Sequence, residues 1–100
     1  MIHEMKIYTP HDGKGDAMRT RFLTVVRPIF KRLGFDLVDV YGVNGSDNLC
    51  YIVRFPDEAA RERAWAAFKD DAEWAATKAA TEVDGPLLKS QTTTLMTKLS

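Results

Sequence analysis

Residues 48–68 read NLCYIVRFPDEAARERAWAAF, and they contain a strand, a stop and a helix start from which the remaining chain can be placed. Leu49, Cys50, Tyr51, Ile52, Val53 and Phe55 are interrupted only by Arg54. That is the length and the β-branched, aromatic character of a strand buried on most of both faces, and such a strand belongs inside a sheet. Pro56 has no N–H to give to a ladder and ends it. Asp57 then offers a carboxylate to the open backbone N–H groups of a helix over Ala59 to Phe68.

Upstream, Ile2 to Thr9 alternates, with His3, Met5 and Ile7 on one side and Glu4, Lys6 and Tyr8 on the other, the period of a strand. Residues 10–15, PHDGKG, form a loop whose Gly-Lys-Gly lacks the spacing and the following Ser or Thr of a phosphate loop. Asp16 is the expected cap of a helix that carries Met18, Phe22, Val25, Val26, Ile29, Phe30 and Leu33 at helical spacing, with Arg19, Arg21, Lys31 and Arg32 between them. Pro28 should kink this helix without ending it, because the apolar stripe runs on to Leu33, and Gly34 should end it. Leu37 to Val43 reads as a second strand, joined through Asn44-Gly45-Ser46-Asp47 to the central one as an antiparallel hairpin. Downstream, Asp71 can start a short helix with Trp74, Ala75, Ala79 and Ala80, which Asp84-Gly85-Pro86 stops. Leu87 to Leu99, rich in Thr, is the last strand and suits a sheet edge.

The order strand, helix, strand, strand, helix, strand predicts one α+β domain over residues 1–100, a ferredoxin-like βαββαβ fold with an antiparallel sheet. Its helices cover one sheet face. The opposite face, on which we expect Glu4, Lys6 and Tyr8, then needs cover, and a two-fold partner laying its own sheet there would make a dimeric α/β barrel. A solvated face is the alternative. Lys plus Arg and Asp plus Glu are equal at 14 each, so no summed field draws in nucleic acid or an anionic membrane surface. Glu4 interrupts the apolar region that a leader would need, and the expected location is cytoplasmic. The lone Cys50 reads as a small core residue and not a nucleophile.

Across nearly its whole length the chain resembles the NIPSNAP family of the dimeric α/β-barrel superfamily. Glu4-Met5-Lys6-Ile7-Tyr8-Thr9 followed by Gly13-Lys14 is similar to the family's opening strand and glycine-lysine loop. Pro28 before Leu33-Gly34, the apolar Leu49 to Phe55, Asp57 to Arg63, Asp71-Ala72-Glu73-Trp74, and Ser90-Gln91 before Leu95-Met96 resemble later segments in the same order. Tyr51 and Val53 stand where members show His and Trp, Lys6 stands for the usual Arg, and Thr94 for an Arg of the last strand. A Lys ammonium cannot reproduce a guanidinium's bidentate contacts. The resemblance implies the fold, a homodimer and an intracellular domain, but no agreed reaction. Related barrels include cofactor-free monooxygenases, isomerases and haem-binding enzymes, and an antibiotic-biosynthesis-type monooxygenase is the enzyme alternative it suggests.

Glu4, Lys6 and Tyr8 place an acid, a cation and a phenol side by side, able to orient a polar ligand group or simply to pair with one another. Tyr51 joins them if it points to the same face. Trp65, Phe68 and Trp74 can wall a pocket or fill the core. The expected ligand-binding set is thus Glu4, Lys6, Tyr8, Tyr51 and Trp74, for a small, mostly apolar molecule. No catalytic residue is assigned. His3 and His11 have no metal-spaced partners, and no zinc pattern, haem attachment or dinucleotide fingerprint is present, so neither metal nor cofactor is expected. A dimeric interaction module acting through exposed loops, His11 to Lys14 or Asn44 to Asp47, is the non-enzymatic alternative.

Overall fold

In the computed structural model, which describes residues 1–100, the chain runs through β1 (Ile2–Pro10), α1 (Gly15–Arg21), a π-helical stretch (Phe22–Val26), α2 (Arg27–Arg32), β2 (Asp36–Gly42), β3 (Leu49–Phe55), α3 (Glu58–Lys69), α4 (Ala72–Thr81) and β4 (Leu88–Met96). The strands form one sheet in the order β2-β3-β1-β4, and each neighbouring pair is antiparallel. That is the ferredoxin-like order, with the two long crossovers carrying the helices. No helix is long and apolar enough to cross a membrane.

Strand β3 lies between β2 and β1, as its apolar run requires. Leu49, Tyr51, Val53 and Phe55 are buried toward the helices, whereas Cys50 and Ile52 are half-buried and Arg54 is exposed on the far face. Burial is therefore complete on one face only. Cys50 is not a core residue: it lies on the face that no helix covers, half-buried beside Ile7 in the ladder, and burial raises its thiol pKa.

The register corrects a second expectation. Glu4 pairs with Val53, Lys6 with Tyr51 and Tyr8 with Leu49, so these three side chains point into the helix-covered layer, and it is His3, Met5 and Ile7 that face away from it. Alternation divides a strand into two faces but does not say which one the helices take. The more apolar trio looked like the core set, yet Glu4 is fully buried because α3 brings it a guanidinium and an indole N–H.

The first helical run stays continuous from Gly15 to Arg32 through its π stretch. Met18, Phe22, Val26 and Phe30 are all buried, each four residues after the last. In a regular α-helix such a repeat drifts by about 40° per step, and one wider turn brings the stripe back over the sheet. The N–H of Arg27 accordingly bonds to the carbonyl of Phe22, and Pro28, which has no N–H to offer, follows directly. Pro28 does not end the helical run, which continues to Arg32 as the apolar stripe led us to expect. Asp16 does not cap the helix; Lys14 holds that position without a side-chain bond, and Asp16 lies in the first turn. At the other end the N–H of Phe35 reaches the carbonyl of Phe30 at 2.9 Å and that of Gly34 reaches Lys31 at 3.2 Å, a Schellman closure with Gly34 at φ +83°. Phe35 and Phe30 stack with centroids 4.4 Å apart, the apolar contact that accompanies this motif. Asp57 and Asp71 cap α3 and α4, accepting from Ala60 N at 2.8 Å and Trp74 N at 3.0 Å.

Candidate functional site

A cavity of about 380 Å³ opens between the sheet and the helices, lined from β1 by Lys6 and Tyr8 and from β4 by Leu88 and Gln91. Met18, Arg21, Phe22 and Val26 of the first helical run form one wall, and Trp65, Phe68 and Trp74 of α3 and α4 form the other. The aromatic wall is continuous. Trp65 and Phe68 meet edge to face at 6.0 Å, and Phe68 stacks on Trp74 at 5.1 Å.

Helix α4 buries none of its residues fully, so side-chain ties position it. Arg21 Nη1 donates to Glu82 Oε2 at 2.7 Å and to Thr81 Oγ1 at 3.0 Å, and its guanidinium lies 4.9 Å from the centre of the Trp74 ring. Arg32 ties the start of α4 in the same way, donating to Asp71 at 2.8 Å and Glu73 at 3.1 Å. The cation over the Trp74 face fixes the ring that closes the cavity on that side.

At the sheet end sits a charged cluster. Glu4 Oε1 accepts from Arg61 Nε at 2.5 Å and from Trp65 Nε1 at 2.9 Å, while Lys6 Nζ stands 3.3 Å from Glu4 Oε2, an oxygen that accepts no hydrogen bond. Burial pushes the Glu4 carboxyl up, but the bonds from Arg61 and Trp65 and the charges of Lys6 and Arg61 outweigh it, and the net pKa is lowered. Glu4 is therefore a structural anion. Lys6 also donates to Thr93 Oγ1 at 2.8 Å, with its ammonium 4.9 Å from the centre of the Trp65 ring.

Beside Lys6 the hydroxyls of Tyr8 and Tyr51 are 2.6 Å apart. Tyr51 is completely buried and this bond is its hydroxyl's one partner, so Tyr51 donates and the proton of Tyr8 is left free on the cavity side. Burial pushes Tyr8 up to about 12, opposed in part by the Tyr51 bond and the charge of Arg21. Burial also lifts Tyr51 well above the ordinary phenol value. Both stay protonated at neutral pH, as hydrogen-bond donors and not bases.

Of the residues expected from sequence, Lys6, Tyr8 and Trp74 line the cavity, Glu4 lies behind Lys6, and Tyr51 lies behind Tyr8. His11 and Asp12 are exposed in the loop away from it, and no cluster of metal-ligating residues is present. Arg21, Glu82, Lys69, Lys78 and Gln91 were missed. Arg21 had a signal: it falls three residues after Met18 and four before Val25, on the apolar stripe and not the solvated face.

Comparison with known proteins places this fold. No curated protein matches the chain in sequence. Among solved structures, a NIPSNAP family protein from Agrobacterium tumefaciens is 15% identical, with 96% of this chain and 90% of that one covered at a TM-score of 0.83. An uncharacterized NIPSNAP domain protein from Burkholderia xenovorans is 16% identical, with 100% and 96% covered and the same TM-score of 0.83. An antibiotic biosynthesis monooxygenase superposes with a TM-score of 0.68 at 13% identity, both chains covered in full at 100%. At such identities the likeness speaks for the fold alone. The NIPSNAP family model matches residues 3–100, and the chain belongs to the NIPSNAP family.

Proposed function

We propose that the chain binds a small, mostly apolar ligand in the cavity beneath α4, with Tyr8 and Lys6 meeting its polar end. One observation carries this reading: an aromatic-walled space of about 380 Å³ has a phenol hydroxyl and an ammonium at its sheet end. Ligand sites are typically apolar hollows of roughly 300–1,000 Å³ with a few converging polar groups. Binding fits better than catalysis, because Glu82 is held by Arg21, Glu4 by Arg61 and Trp65, and both phenols are too weakly acidic to serve as bases. Native mass spectrometry of the protein from its own organism, beside the denatured mass, tests it. A retained small mass that is lost in Trp74→Ala is the expected result; a mass retained equally by that variant would place the ligand elsewhere. Turnover of the retained compound with oxygen would move the reading to the monooxygenase alternative.

A homodimer is the second part of the proposal, supported by the face that carries no helix. Met5 lies opposite Ile52 and Ile7 opposite Cys50 there, all half-buried, with His3 and Met96 extending the patch. Arg54 and Asp36 at its border neutralise one another at 2.7 Å, while Asp39, opposite Ile52 on β2, accepts from the Tyr41 hydroxyl and has no cation paired with it. His3 Nδ1, shielded from solvent without a hydrogen-bond partner, is a polar group such a partner can satisfy. Sedimentation of the purified chain tests this part, with a two-chain species expected and a monomer contradicting it.

A further inference from the structure

The chain as a whole has no net charge, yet the cavity wall does. Its 14 basic side chains balance 14 acidic ones overall, whereas the residues lining the cavity include Lys6, Arg21, Lys69 and Lys78 against a single carboxylate, Glu82. Arg21 is neutralised by Glu82, but Lys69 and Lys78 enter none of the ion pairs of the fold. Lys6 spends one of its three donors on Thr93 and makes a charge contact, but no hydrogen bond, with Glu4 Oε2. The opposing charge at that end is Glu4, and its other oxygen is already taken by Arg61 and Trp65. Lys6 and Tyr8 are two residues apart on one strand face, which brings an ammonium and a phenol O–H into the same end of the space.

Resting on the ligand-binding reading above, we infer that the cavity selects a flat aromatic carboxylate, its carboxylate oxygens received by Tyr8 Oη and Lys6 Nζ and its rings held between the Phe22 side and the wall of Trp65, Phe68 and Trp74. A neutral ligand of the same shape fills the aromatic space equally well but leaves the Lys6 donors poorly matched. Lys69 and Lys78 add a positive rim that draws an anion toward the opening. Hydrogen bonds to a charged group are the stronger kind, and the carboxylate should bind about 10- to 100-fold tighter than its neutral counterpart.

Calorimetric titration of the full chain with naphthoate and with naphthamide, which share their rings and differ in charge, tests this. One naphthoate per chain is expected, bound at least about tenfold tighter than naphthamide, with the preference falling severalfold in Tyr8→Phe and in the double variant Lys69→Ala/Lys78→Ala. The two lysines are exposed, so that variant keeps the fold even if Tyr8→Phe loosens it. Equal affinity for the two compounds, both weakened by Trp74→Ala, would overturn the charge selection and leave the cavity reading standing. Binding of neither by a chain with native circular dichroism and melting would bring down both. A naphthoate preference untouched by all three variants would overturn the assignment to this cavity.

Discussion

Tyr8 and Tyr51 share a hydroxyl–hydroxyl contact of 2.6 Å across neighbouring strands, with one ring edge-on to the other at 5.3 Å. The pair is diagonal in the sheet, since Tyr51 stands opposite Lys6 and Tyr8 opposite Leu49. Its direction, Tyr51 to Tyr8, turns a buried hydroxyl into a support for one that faces the cavity.

That direction makes the two phenylalanine variants unequal. Tyr8→Phe strands the buried Tyr51 hydroxyl and should cost about 1–3 kcal/mol, whereas Tyr51→Phe leaves Tyr8 free to turn to the cavity and should cost less, about 1 kcal/mol. The double variant should cost less than the two together. Urea unfolding of all three settles the order, and a larger cost for Tyr51→Phe would reverse the assigned donor.

The phenols also predict an alkaline limb. A folded-state pKa raised from 10.0 to about 12 at Tyr8 gives stability that is complete below pH 10 and is lost as pH rises toward 12. Tyr51, also raised well above 10 by its burial, acts in the same direction. Ultraviolet titration should therefore show these two ionising together with loss of the fold, separately from the exposed Tyr41, and ionisation of all three phenols while the fold persists would be the contrary result.

Glu4 works at the acid end with the opposite sign. Its folded pKa is lowered from 4.5, so its contribution is complete above that value and is lost as pH falls through the depressed folded value. Glu4→Gln should cost roughly 2 kcal/mol at neutral pH, below the ~3–5 of a fully buried broken pair, because Lys6 and Arg61 are 15% and 21% exposed. The variant should also lose stability less steeply with acid. An unchanged acid limb in stability measured against pH would mean that other carboxylates set it.

Ile52 stands at the middle of the uncovered sheet face, opposite Met5. Ile52→Arg should convert the proposed dimer to monomers while leaving the helix-side core intact, because Val53 and Tyr51 point the other way. Light scattering and far-ultraviolet circular dichroism together read both parts; a dimer that persists would move the interface off this face.

Much of the fold was legible because its signals are local. Asp57 and Asp71 cap helices and Gly34 closes one through bonds to near neighbours, and the apolar run from Leu49 to Phe55 carries its strand character in its own residues. The facing of β1 was not legible, because a strand's two sides differ only in what is laid on them. Glu4 became the more buried residue through Arg61 and Trp65, some 57 and 61 positions away. The π stretch was hidden for a related reason: Phe22 to Val26 shows only a four-residue step, and the sheet beneath decides how the backbone meets it. The candidate site was half visible, since Lys6, Tyr8 and Trp74 stood out by type, whereas Glu82 and Gln91 reach the cavity only through the packing of α4 and β4.

The two tryptophans of the chain, Trp65 and Trp74, both line the cavity, and their indole N–H resonances report on it directly. Titrating a set of small aromatic fragments that includes naphthoate and naphthamide, and following those two resonances, tests directly for a ligand site beneath α4. A binding fragment should move both indole signals saturably with one shared midpoint, and Trp74→Ala should weaken the response at Trp65. Indole signals that stay fixed throughout the set, while resonances of His3 or Ile52 on the far sheet face shift, would contradict it.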